Sequence, residues 1–360
     1  MAIVHFAQIS VVHNLSNRRD ETVRDRAIMS AELILFARSG IARRCSLLAA
    51  SLLLIVIPAC KSLRQPVIAV VPQTTAQEVW ESEHAGVESA AQALNWDVYW
   101  NAPSREDDFP RQIQIVNAAI DRKVSGLILS PDHAVALISP VRSALARGIP
   151  TVIVGSPLGT SPGGNLVFVV NDDAATGRLA AERASQYLKP GDAVAILGVN
   201  SSILGSIERT DAFEASLRQR IPAVRVIERR STSFSFAEAE ETAEETIRSV
   251  PGLRVILTLN INQTRAADGA LREERYPGKI LLIGCDQDLD LMHHLRSGGI
   301  DAVIAENTYE MGYDAVHIIH QLRMGERTDA KVVVEPVLVT RENIDSAAVQ
   351  HVLDMNWRVQ

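Results

Sequence analysis

Three cysteines in 360 residues are too few for a disulfide framework. Cys45 and Cys60 lie near the N-terminus, and beyond them only Cys285 remains. A packed core has to hold the chain together, and a hydrophobic content of 47% is consistent with one. No apolar run reaches the roughly 20 residues that a membrane-crossing helix needs. Basic residues are not in excess. The formal net charge is −7 with both signs evenly mixed, which argues against nucleic acid and anionic membrane surfaces as partners. Catalytic signatures are missing as well: the chain has no G-x-S-x-G elbow, no H-E-x-x-H, no Walker-type loop and no C-x-x-C pair. His293 and His294 are adjacent, so on a helix they point about 100° apart and cannot chelate one metal together. No metal site, cofactor or enzyme activity is expected.

What is present begins with a short apolar run that stops at a cysteine. Cys45 to Ile57 carries no charge, Arg43 and Arg44 precede it, and Pro58, Ala59 and Cys60 follow. That is a basic n-region, an h-region and a small residue before a cut. The cysteine at the cut makes the segment resemble a bacterial lipoprotein signal, with Ile57-Pro58-Ala59-Cys60 as the lipobox and Ile57 where Leu is usual. The resemblance implies a leader over 1–59, lipid on Cys60, and a body outside the cytoplasmic membrane, held at the periplasmic or cell-surface side. Residues 1–28 are polar and precede a second methionine. Met29 rather than Met1 is read as the start, with 1–28 as a start-site artefact. Removing 1–59 takes away seven arginines and four acids, leaving a net charge of −10. About 300 residues remain, enough for two ordinary domains.

From Pro66 onward, short Val/Ile/Leu-rich runs alternate with longer amphipathic stretches. Ten runs read as strands, most of them Val/Ile/Leu-rich and buried on both faces: Val67–Val71, Val98–Trp100, Gly126–Leu129, Thr151–Val154, Leu166–Val170, Ala193–Leu197, Val224–Ile227, Val255–Leu259, Ile280–Ile283 and Asp301–Ala305. Between them, Trp80, His84, Val87, Ala91 and Leu94 form one apolar helical stripe. Phe109, Ile113, Val116 and Ile120 form another. The β-α-β rhythm predicts an α/β protein with parallel, doubly wound sheets. Ten strands are too many for one comfortable open sheet, so two lobes are expected.

In open α/β sheets ligands bind at the carboxyl ends of strands. Polar residues collect there: Gln73, Ser130 and Asp132, Asn171-Asp172, Asn260, Asp286, and Glu306-Asn307. Each also reads as a helix N-cap, for which Asn, Asp and Ser are preferred. Asn260, Asp286 and Glu306 stand apart because they follow three consecutive strands of one half.

Over Val67 to Asp345 the chain resembles the ribose-binding-protein-like family of periplasmic solute-binding proteins, whose fold LacI-type repressor cores share. The resemblance rests on Ala85-Gly86-Val87, Gln112-Ile113, Gly126 to Pro131, Gly148 to Val152, Asn171-Asp172-Asp173 with Gly177 to Ala181, Glu208-Arg209 with Phe213, Ile283 to Asp286, and Val339 to Ile344. It implies a type 1 periplasmic binding fold, with two lobes joined by a three-segment hinge. The first lobe is expected at 66–171 plus 307–335, the second at 172–306 plus 336–360. Carried over by position, Gln73, Gln77, Trp80 and Ser130 fall on first-lobe ligand contacts. Asn260, Asp286 and Glu306 fall on second-lobe and hinge contacts. Two departures stand out. Gly155-Ser156 replaces an Asp-Arg or Asp-Ser pair, and Ile207 occupies the position of a sugar-gripping Arg. An Asp and an Arg that clamp hydroxyls are therefore both expected to be missing from the cleft.

The resemblance implies a monomeric, lipid-anchored binding protein that captures a small polar solute, a sugar or sugar derivative, and delivers it to an ABC permease. The alternative is a ligand sensor presenting to a membrane kinase or chemoreceptor. A LacI-type repressor would need a helix-turn-helix before the core, and residues 1–59 offer none.

Overall fold

The computed structural model describes residues 65–231, 235–273 and 280–353. The expectations about Met29, the leader and Cys60 fall outside them. The first half of the described chain runs β1 (Val67–Val71), α1 (Glu78–Ala93), β2 (Asp97–Trp100), α2 (Phe109–Asp121), β3 (Gly126–Leu129), α3 (Ile138–Ala146), β4 (Thr151–Gly155) and β5 (Leu166–Asn171). The second half repeats the plan. It runs α4 (Asp173–Ser185), β6 (Ala193–Val199), α5 (Leu204–Arg220), β7 (Arg225–Arg230), α6 (Phe236–Ser249), β8 (Leu253–Thr258), α7 (Ile261–Glu273), β9 (Leu281–Cys285), α8 (Leu289–Ser297) and β10 (Ala302–Ala305). The chain then adds α9 (Thr308–Met324), β11 (Lys331–Val334), β12 (Val337–Thr340) and α10 (Ala347–Leu353).

Two six-stranded sheets result, ordered β2-β1-β3-β4-β5-β11 and β7-β6-β8-β9-β10-β12. Every pairing is parallel except β10 with β12. The two-lobed, doubly wound α/β architecture expected from the alternation is present. All ten expected strands form. β11 and β12 are additional, each at a sheet edge, and the break at Glu335-Pro336 lies between them. Central strands are apolar on both faces, as β3 and β6 show by being buried at every residue. Each sheet has one apolar cluster on either face, so four cores hold the two lobes. The chain passes between the sheets after β5, after β10 and between β11 and β12. Among the described residues, no helix is long and apolar enough to cross a membrane.

The helix stripes differ in phase from expectation. On α1 the buried residues are Val79, Glu83, Val87, Ala90 and Ala91. His84 instead stacks on Trp100, with ring centroids 4.1 Å apart. The cause is the partner helix. α1 packs on α9 with two glycines at the crossing. A Cβ on Gly86 would strike the Tyr309 carbonyl, and one on Gly312 the Glu83 carbonyl. The helices meet backbone to backbone along the Glu83–Gly86 side, which turns that side inward. α4 and α5 repeat the device, since a Cβ on Gly177 would strike the Arg209 carbonyl.

Candidate functional site

Each sheet reverses its strand order beside its first strand, at β1/β3 and at β6/β8, and open α/β sheets bind ligands at such points. A cavity lies where the carboxyl ends of the two sheets face each other. Gln73, Gly155 and Asn171 reach it from the first sheet, and Asn200, Asn260, Asp286 and Glu306 from the second.

The second-lobe wall is organised by Arg209 on α5. Its side chain is almost fully buried. Nε donates to Asp173 Oδ1 at 2.5 Å, Nη2 donates to Glu306, and Nη1 lies 3.7 Å from Asp286 Oδ1. Nη1 also approaches the Leu259 carbonyl at 3.4 Å. Burial works against the guanidinium charge, but Glu306 and Asp173 outweigh it and hold its pKa well above the ordinary arginine value. Glu306 accepts from Asn171 Nδ2 as well, which ties the chain after β10 to the end of β5. Its backbone exchanges two hydrogen bonds with the Gln287 side chain, at 2.7 and 3.1 Å. Burial raises the pKa of both Asp286 and Glu306, and Arg209 opposes the rise in each.

The first-lobe wall is built differently. Glu83 of α1 is fully buried and lines the cavity. One carboxyl oxygen accepts from Ser130 Oγ at 3.1 Å, and the other has no hydrogen-bond partner. Burial pushes its pKa up to about 8. Glu106, in the loop after β2, also lines the cavity and is pushed up to about 8, by burial first and then by the charges of Asp132 and Asp286. Gln77 and Trp80 lean toward Glu106 and favour its ionised form slightly. No hydrogen bond of ordinary geometry joins the indole Nε1 to it. Behind them Asp132 is buried with neither oxygen partnered, and burial pushes it up to about 7. Gln112 pins the loops here, donating to the Pro72 and Ser130 carbonyls at 3.0 and 2.8 Å and accepting from Asp132 N at 3.0 Å.

Of the residues singled out from sequence, Gln73, Gln77, Trp80, Asn260, Asp286 and Glu306 all line this cavity. Ser130 does not. It sits behind Glu83 and holds that carboxyl in place. Gln73 donates to the Pro131 carbonyl at 3.0 Å. Asn260 doubles as the cap of α7, its Oδ1 accepting from Gln263 N at 3.0 Å. Asp286 is no cap: Asp288 caps α8 instead, accepting from Leu291 N at 2.7 Å. Asp172 caps α4. Cys285 is a buried thiol whose pKa burial pushes up to about 12. His294 is not simply a solvated helix end, because its Nδ1 lies 2.6 Å from the buried Asp268.

One expectation is corrected. The cleft does contain an arginine: Ile207 packs on the second-lobe core, while Arg209, two residues on, turns into the cavity. Gly155 and Ser156 line the wall as expected, with Ser156 Oγ accepting from Gly205 N at 3.1 Å. Glu83 and Glu106 were missed. Glu83 carried a signal, since a carboxylate stands midway between Val79 and Val87 on one helical face. Among the described residues, no group of three or more His, Cys, Asp or Glu is placed to hold a metal ion.

Residues 68–327 match the periplasmic binding protein domain. The D-allose-binding periplasmic protein of Escherichia coli K12 is 24% identical over 251 residues, covering 68% of this chain and 80% of its own. Among solved structures, a carbohydrate transporter solute-binding protein from Agrobacterium radiobacter, in complex with D-arabinose, superposes with a TM-score of 0.75 at 22% identity. The match covers 81% of this chain and 99% of that one. A chain of the XylFII–LytSN complex superposes with a TM-score of 0.69 at 21% identity, over 78% and 99% of the two chains. At these identities the structural likeness is one of fold.

Proposed function

The chain belongs to the periplasmic binding protein domain family, and from that premise we propose that it is an extracytoplasmic solute-binding protein that captures a sugar or sugar derivative for an ABC permease. The observation that carries this reading is the cavity between the lobes. It brings Trp80, five carboxamides (Gln73, Gln77, Asn171, Asn200 and Asn260) and a carboxylate–guanidinium network to one space. A sugar hydroxyl both donates and accepts, so mixed amide, carboxylate and guanidinium groups suit it. Relatives that bind D-allose or D-arabinose support the same ligand class.

The mechanism is hinge closure. The three inter-sheet connections are element ends, where small backbone rotations turn one lobe against the other. Ligand contacts on both walls stabilise the closed form, and affinity falls by the fraction of protein that is open without ligand. In this reading Gln73, Gln77, Trp80, Asn260, Asp286 and Glu306 touch the ligand, Ser130 positions Glu83, and the lobes divide at 66–171 plus 307–335 and 172–306 plus 336–360. A monomer anchored by lipid at Cys60 completes it. Partition of the mature protein with membranes, lost in Cys60→Ala, tests the anchor.

Isothermal titration of the purified body against aldoses, ketoses and alditols tests the function. Saturable binding by one of them, with compaction in small-angle scattering, is the expected result. Absence of binding across the panel removes the sugar reading. The XylFII–LytSN neighbour, a chain of this fold assembled with another protein, favours a second reading in which the closed lobes present a surface to a membrane sensor.

A further inference from the structure

The two walls of the cavity carry unequal charge. Among the described residues, four carboxyl groups line it, from Glu83, Glu106, Asp286 and Glu306, against a single cation, Arg209. That cation is already committed. Three of its contacts go to Asp173, Glu306 and the Leu259 carbonyl, and Asp286 is its next neighbour. Among the described residues, no lysine or histidine lines the cavity. Glu83 and Glu106 therefore face the ligand space without a counter-charge. Asp132 behind them adds a third acid rather than relief.

A buried carboxylate left unpaired is expensive, and proteins retain such groups where something pairs with them. Here the partner is not supplied by the fold. Glu83 Oε1 is fully buried in the cavity wall and has no hydrogen-bond partner, although Ser130 satisfies the other oxygen. An ionised carboxylate is an acceptor only, so what it lacks is a donor. An ammonium group carries three donors and the charge that the wall lacks, and charge-assisted bonds are the stronger ones. The Trp80 indole beside Glu106 adds an electron-rich ring to the same wall.

Resting on the sugar-binding reading above, we propose that the ligand is a cationic carbohydrate, an amino sugar or amino polyol, whose ammonium group docks on the first-lobe wall between Glu83 and Glu106. Arg209, Asp286 and Asn260 then grip its hydroxyls from the second lobe. Raised proton affinity at Glu83 and Glu106 in the empty site fits this arrangement: the carboxyls hold protons until the ligand's charge replaces them.

The test is titration calorimetry at pH 7 with matched pairs: 2-amino-2-deoxy hexoses and 1-amino-1-deoxy alditols, each against its neutral parent and its N-acetyl form. At least one amine is expected to bind tenfold or more tighter than its parent, with the N-acetyl form losing that gain. Repeating the titration in two buffers of different ionisation enthalpy should show protons released on amine binding and none on parent binding. Glu83→Gln and Glu106→Gln, confirmed as folded by thermal melts, should each pull the amine-to-parent affinity ratio toward one. Neutral parents binding as tightly as the amines, or a ratio unchanged in both variants, would overturn the cationic ligand and leave the sugar reading standing. If neither charged nor neutral members bind, the sugar reading falls with it.

Discussion

The two walls of one cavity both bury acids, and they differ in whether a cation is buried with them. On the second lobe, Asp173, Glu306 and Asp286 share the one guanidinium of Arg209, which opposes but does not overcome the rise that burial causes at Glu306 and Asp286. On the first lobe, Glu83, Glu106 and Asp132 are buried with no cation beside them among the described residues, and their pKa values rise to about 8, 8 and 7. The folds beneath are near copies, with the same strand order and the same glycine-mediated helix crossing. A duplicated scaffold thus constrains backbone placement and leaves the electrostatics of each half free to diverge. The second-lobe wall carries its own cation, and the first-lobe wall is poised to accept charge from outside.

Removing Arg209 should have the largest effect. Arg209→Ala leaves three buried carboxyl groups without their cation, and breaking a buried ion pair from one side costs about 3–5 kcal/mol. Urea denaturation should show that loss at pH 7. A change below about 1 kcal/mol would mean that the second-lobe wall is not held by compensation.

Glu83→Gln should act in the other direction, and its sign should depend on pH. The Glu83 carboxyl titrates near 8 in the fold against 4.5 for the unfolded reference. The folded state therefore holds the proton across that window, so stability falls as pH rises from about 4.5 to about 8 and then levels off. The amide has no such slope, although its own NH₂ lacks a partner at a cost of about 1–3 kcal/mol. The ligand-free variant should be more stable than wild type by about 2 kcal/mol at pH 8 and slightly less stable at pH 5. Parallel stability curves for the two proteins would show that Glu83 is not a strained acid.

Binding should divide between the walls as well. Trp80→Ala on the first lobe should weaken sugar binding by about 2 kcal/mol if the ring is a contact of hot-spot type. Asp286→Asn on the second lobe keeps the shape but exchanges an acceptor oxygen for a donor, and should cost about 1–2 kcal/mol. Both are read by titration calorimetry beside melting curves. An unchanged affinity in either variant removes that residue from the site.

The smallest effect concerns what the lobes share. Gly86→Ala and Gly177→Ala each force a helix pair apart, and overpacking of this kind costs about 1–3 kcal/mol. Alanine's better helix propensity recovers about 1 kcal/mol of it. Both should lower the melting temperature by a few degrees. A marked loss in only one would show that the two crossings are not equivalent.

Much of the fold was legible from the chain. Ten strands could be read from runs of Val, Ile and Leu, because parallel strands covered on both faces need apolar side chains at every position. β11 and β12 escaped although residues 332–334 and 337–339 are apolar, because each run is only three residues long and Pro336 between them reads as a break. The phase of α1 escaped for another reason. Trp80 and His84 look apolar by composition, yet the glycine contact with α9, more than two hundred residues away, decides which side turns inward.

The candidate site divides along the same line. Gln73, Asn260, Asp286 and Glu306 could be found by their place just after a strand, which is a local property of the chain. Arg209 and Glu83 were missed, because both lie within helices, and a side chain on a helix reaches a cavity only if the packing of that helix points it there. The sequence by itself determined the alternation, the two-sheet division and the polar residues at the strand ends, since these follow from periodicity and chain order. Only the tertiary structure decided which acids share a cation and which stand alone. Coulomb interaction depends on distance through space, and residues 173, 209, 286 and 306 become neighbours only when four separate elements converge.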